Sequence, residues 1–186
     1  MGLGWIILII VAILIVIAIK LYNDLVVLRQ NVKNSWSQMD VQLQRRFDLI
    51  PNLVETIKGY MKHESDVLTK VTELRTSWAK AGSVKEKAEL DNELSGALKT
   101  IMAVSEAYPD LKANTNFGQM QEELQNTENK IAFSRQFYND TTTRYNTKLE
   151  TIPTNIIASL FHFMPEELFK VDNVEARKNV KVDFGN

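Results

Sequence analysis

The chain has 186 residues, with 22 Lys and Arg against 23 Asp and Glu, so no global field recruits nucleic acid or an acidic substrate. Cysteine is absent, which excludes disulfides, thiolate nucleophiles and cysteine-ligated metal or iron–sulfur sites. Glycine and proline number only 7 and 4, too few for a turn-rich β chain, and the balance favours helices.

The first predicted element is a membrane helix. No charged side chain occurs before Lys20, and Leu3 to Ile19 just reaches the length of about 17 to 25 apolar residues that spans a bilayer. Trp5 and Tyr22 fit interfacial anchors, Ile10 and Leu14 fill the middle, and Ile19 closes the run. A cleaved signal peptide or a buried core helix are the alternatives. Against the first, no basic segment precedes the run and no A-x-A-like site follows it. Lys20, Arg29 and Lys33 follow the span while Met1 to Gly4 carries no basic side chain, so the positive-inside rule puts the remainder in the cytoplasm and the N-terminus outside.

Beyond the span, Leu25, Leu28, Val32, Trp36, Met39, Leu43, Phe47 and Ile50 recur at helical spacing. No Pro or Gly lies between Trp5 and Phe47, so the membrane helix should continue into this one as a stalk. Pro51 lacks an amide donor and disfavours helical geometry at Ile50, which predicts a tight turn, or failing that a kink, near Asp48 to Asn52. A second periodic run follows from Leu53 to Trp78, through Gly59. Ser83-Val-Lys-Glu86 has the form of a capping box and opens a third helix, with Leu90, Leu94, Leu98 and Ile101 on one face. After the polar connection around Pro109, Phe117 to Ile152 alternates three- and four-residue spacings and forms the fourth and longest helix.

The fold class expected is all-α: residues 1–21 as anchor, 22–152 as an antiparallel four-helix bundle, and 153–186 as a short apolar helix with an extended tail. Metal chemistry has little support. The two histidines, His63 and His162, lack a glutamate three residues before them, so the Glu-x-x-His pairs of di-iron bundles are missing. His63-Glu64 begins like a zincin motif, but Val67 stands where the second ligand belongs. No nucleophile elbow or phosphate loop occurs, and no cofactor is expected.

The residues themselves resemble the bacterial LemA family. The resemblance is carried by Tyr22-Asn-Asp-Leu-Val-Val-Leu-Arg29, by Val41 to Tyr60 with Arg45-Arg-Phe-Asp-Leu-Ile-Pro-Asn52 at its centre, and by His63-Glu64. It extends through Ala107-Tyr-Pro-Asp-Leu-Lys-Ala-Asn114, Leu124-Gln-Asn-Thr-Glu-Asn-Lys-Ile131, Tyr138-Asn139 and Tyr145-Asn146. It implies a single-pass membrane protein with an antiparallel four-helix domain and supplies no catalytic residues.

Asp40, Arg45, Arg46, Asp48 and Asn52 are the densest polar group among these motifs and would form either a docking surface at the far end of the bundle or solvated caps around a helix hairpin. Ile156, Ile157, Leu160, Phe161 and Phe163 belong to a run too short to span a bilayer. They would either fold back on the open end of the bundle or lie in the lipid interface. The alternating Val180-Lys-Val-Asp-Phe184 would trail as an extended tail able to pair with a neighbour. Two functions fit. One is a non-enzymatic membrane scaffold that self-associates or organises the bilayer, and the other is an accessory module for a membrane protease or transporter.

Overall fold

The structure, a computed structural model, describes residues 2–61 and 65–170. His63-Glu64 and the Val180–Phe184 segment lie outside the described residues. Among the described residues all regular structure is helical: α1 (Gly2–Asp48), α2 (Ile50–Lys58), α3 (Ser65–Trp78), α4 (Val84–Ser105), α5 (Pro109–Lys112), α6 (Thr115–Glu150) and α7 (Thr154–Leu160).

The 47 residues of α1 run without interruption from the apolar segment into the core. Side chains from Trp5 to Ile17 are exposed, so this is not a buried core helix; it is the one helix long and apolar enough to cross a membrane among the described residues. Burial begins at Ala18, Leu21 and Tyr22 and is complete at Leu25. From there Val32, Met39, Leu43 and Phe47 hold the same face inward, each such burial stabilising the fold by about 1.5–3 kcal/mol.

The turn expected at Pro51 is not there. Leu49 keeps helical dihedrals (φ −74°, ψ −20°), its amide donates to the carbonyls of Arg45 and Arg46, and its own carbonyl accepts from Leu53. Pro51 sits in the first turn of α2, where the lost amide matters least, so the chain stays helical through it. The break falls instead at Gly59, inside the run expected to be continuous, where α2 ends.

The helix expected to open at Ser83 is α4, and it starts with the capping box. Ser83 Oγ accepts from the Glu86 amide at 3.1 Å, and the Glu86 carboxylate accepts from the Ser83 and Gly82 amides. Those donors, Ser83 foremost, hold the Glu86 carboxyl below its ordinary pKa. Asn114 caps α6 by accepting from the Asn116 and Phe117 amides, and its side-chain amide donates to the Tyr60 hydroxyl at 3.0 Å.

Specific pairings tie the helices together. Trp78 at the end of α3 stacks on Phe47 (centroids 4.3 Å apart, planes at 17°) and donates to Gln44 at 3.0 Å. Lys87 near the start of α4 bonds Asp40 and lies over the rings of Trp36 and Trp78. The most extensive interface is α1 on α6, where Arg45 pairs with Glu123 and Trp36 packs on Tyr138.

Candidate membrane-interface site

Two Tyr-Asn pairs on α6 hold the segment that follows α7 against the domain. Tyr138-Asn139 and Tyr145-Asn146 are seven residues apart, two helical turns, so all four side chains meet the same passing segment. That segment is the extended stretch 163–170 after α7, which acts as a strap. Asn139 Nδ2 donates to the Phe169 carbonyl at 3.0 Å and its Oδ1 accepts the Phe169 amide at 2.9 Å. Asn146 treats Glu166 the same way, at 2.8 and 3.0 Å. Tyr138 donates to the Glu167 carbonyl at 2.7 Å and Tyr145 to that of Met164 at 3.0 Å. The register is geometric: seven helical residues rise about 10.5 Å, and three extended residues span about 10 Å, so each heptad step on α6 matches three residues of strap. Burial raises the pKa of both tyrosine hydroxyls, which keeps them protonated as donors.

The strap holds α7 against α1. A cis Ile152–Pro153 bond joins α6 to α7, and α7 ends with the Phe163 amide donating to Ala158 and the His162 amide to Ser159, the Schellman pattern. His162 occupies the left-handed position there, with φ 56°, where glycine is usual. Tyr22 of α1 packs on Phe161 (4.8 Å between centroids) and Phe163 (5.6 Å), and the Arg29 guanidinium lies 4.9 Å over the Phe163 ring. The apolar run 156–163 has one face on the domain and one face uncovered. Ile157 and Phe163 turn inward and are buried, while Ile156, Leu160 and Phe161 point outward with Ile152 and Met164.

The polar group around Arg46 is distributed rather than gathered. Arg46 is 4% exposed and donates to Asp91 at 2.8 Å and to Ser95 at 2.9 Å. Glu128 lies 3.0 Å from the same guanidinium as an ion pair without hydrogen-bond alignment. Burial pushes the Asp91 carboxyl above its ordinary pKa, against the pull of Arg46. Arg45 pairs with Glu123, Asp40 with Lys87, and Asp48 accepts from Gln44, so each is committed to a neighbour within the fold. Asn52 is exposed, and its carbonyl accepts the Thr56 hydroxyl in α2. No helix hairpin lies among these residues, since α1 and α2 run on through them.

Among the described residues no group of three or more His, Asp or Glu is placed to hold a metal ion. The LemA family model matches residues 35–184, which includes both Tyr-Asn pairs and the strap. The chain belongs to the LemA family. It is 27% identical over 158 residues to Protein LemA of Metamycoplasma hominis, covering 82% of this chain and 70% of that one. It is also similar to Magnetosome protein MamQ 2 of Paramagnetospirillum magneticum (26% identity over 175 residues) and to Magnetosome protein MamQ of Magnetospirillum gryphiswaldense (24% over 174). In both cases the match covers 80% of this chain but only 64% of the MamQ protein.

Proposed function

We propose that this protein is a non-enzymatic, single-pass membrane scaffold. In this reading α1 crosses the bilayer with its N-terminus outside, and the helices beyond it form an antiparallel four-helix bundle standing on the cytoplasmic face. The pairings Trp78 with Gln44, Lys87 with Asp40 and Arg45 with Glu123 support alternating directions for α1, α3, α4 and α6. The observation that carries the reading is the continuity of α1: exposed apolar residues to Ile17 and a fully buried Leu25 share one helix, so membrane and domain are coupled without a hinge. A domain held at fixed orientation and confined to a surface meets its own copies at high effective concentration. Phe133 (73% exposed) and Phe137 (49%), one turn apart on the outside of α6, offer the lateral face for such association.

A single cysteine introduced at Gln136 of this cysteine-free chain tests the scaffold. Self-association through α6 predicts disulfide-linked dimers on oxidation of native membranes, and none from a cysteine at Lys99 on α4. A solubilised monomer that instead co-purifies in fixed ratio with one other membrane protein, and never crosslinks to itself, would favour the accessory-module reading.

A further inference from the structure

We infer that α7 is a second membrane contact: its outward face lies in the lipid interface beside the exit of α1. Ile156 (63% exposed), Leu160 (66%) and Phe161 (53%) are uncovered although the same helix buries Ile157 and Ala158 against the domain. Ile152 (82%) and Met164 (71%) extend that face at either end of α7. Five uncovered large apolar side chains gathered at one place on a domain are costly in water. The occupant follows from position. Phe161 touches Tyr22, three residues beyond the end of the apolar run at Ile19, so this face continues the lipid-exposed surface of α1 rather than standing apart from it. With α1 as the anchor, this face stands at the level where α1 leaves the bilayer, so lipid reaches it without a partner being recruited.

The lengths agree with this placement. The apolar run of 17 residues from Leu3 to Ile19 rises about 25 Å, short of the roughly 30 Å hydrocarbon core. A short span draws the bilayer surface toward its ends. The acyl–headgroup boundary then falls just past Ile19, beside Tyr22, where a tyrosine ring suits the headgroup level and the Phe and Leu side chains of α7 can reach down into the acyl region. The strap is the device that keeps α7 at that level, through the Asn146 and Tyr145 bonds to Glu166 and Met164. The inference rests on α1 being the membrane anchor.

Nitroxide labels on single cysteines in the full-length chain, reconstituted in phosphatidylcholine–phosphatidylglycerol vesicles, test it. Leu14→Cys reports the anchor, Leu160→Cys and Ile156→Cys report α7, and Gln119→Cys on α6 reports the water-facing end. Oxygen collides preferentially with labels in lipid and a water-soluble nickel chelate with labels in water. The oxygen-to-nickel ratio at Leu160 and Ile156 should exceed that at Gln119 by at least about three-fold and fall below that at Leu14, as expected at the acyl–headgroup boundary. A lipid-like ratio at Leu14 with a water-like ratio at both α7 positions would overturn the inference and leave the anchor standing. A water-like ratio at Leu14 would remove the anchor itself. Shielding of the α7 labels from both reagents would show protein, not lipid, on this face and would equally overturn it.

Discussion

Asn139 spends both ends of its side-chain amide on one residue, Phe169, accepting its amide at 2.9 Å and donating to its carbonyl at 3.0 Å. The helix thereby treats an extended segment as a β-strand treats a neighbour, and Asn146 repeats the pattern on Glu166. Phe169, 1% exposed, packs against Trp36, so the clamp also fixes a core aromatic.

Replacing Asn139 by Ala should therefore leave two strap groups unpaired. The expected cost is about 1–3 kcal/mol. Amide exchange read residue by residue should accelerate at residues 164–170 before it changes at Leu43 or Ile131. Equal acceleration throughout would mean that the strap and the helical core open as one unit.

Arg46 and Asp91 form a buried ion pair, so removing one partner strands the other. Arg46→Ala should destabilise by about 3–5 kcal/mol in denaturant unfolding, whereas Arg45→Ala, which loses a half-exposed pair with Glu123, should cost no more than about 1 kcal/mol. Similar losses at the two positions would contradict the assignment of Arg46 to the interior.

The Asp91 carboxyl is raised in the folded chain, chiefly by burial. The folded state then holds this proton more tightly than the unfolded chain, whose ordinary value is near 3.8. The contribution of Asp91 to stability accordingly declines as pH rises from that value through the raised folded one, opposite in sign to a carboxylate such as Glu86. Asp91→Asn should abolish the decline, measured as the difference between the two stability–pH curves. Parallel curves would contradict it.

His162 stands in the left-handed conformation at the end of α7. Glycine accepts that conformation without the steric conflict of a β-carbon, so His162→Gly should raise the stability by about 1 kcal/mol. A loss of stability would show that the imidazole has a partner of its own at the end of α7.

Much of the helical plan was legible because apolar spacing reports burial directly: Leu25, Val32, Met39 and Leu43 are buried as their periodicity predicts, and the Ser83–Glu86 box starts α4. The turn or kink expected at Pro51 is absent as a turn, and the helix expected to pass through Gly59 ends there. A proline in a first helical turn loses nothing the helix needs, and spacing alone does not distinguish that position from an interior; Gly59 keeps helical dihedrals (φ −72°, ψ −25°) where α2 ends, so the lack of a side chain there does not explain the break. Arg46 looked like surface because it sits in a polar cluster, although it falls at stripe spacing between Leu43 and Ile50, as Asp91 does before Leu94. Opposite charges on two apolar stripes were the signal of the buried pair. Asn139 and Asn146 flank a stripe rather than lie on it, and only the repetition of Tyr-Asn after seven residues pointed to them. The strap they hold has no periodicity to recognise.

A helix that is continuous from the apolar segment to Asp48 carries its direction into the domain without a hinge, and a distance distribution along it measures this. Spin labels at Val16 and Gln38, both exposed and 22 residues apart on nearly the same side of α1, should give one narrow distribution near 33 Å in the reconstituted full-length chain, about 1.5 Å per residue. A Gly-Pro insertion between Asn23 and Asp24 should broaden it. A broad or markedly shorter distribution in the unmodified protein, unchanged by the insertion, would contradict the account.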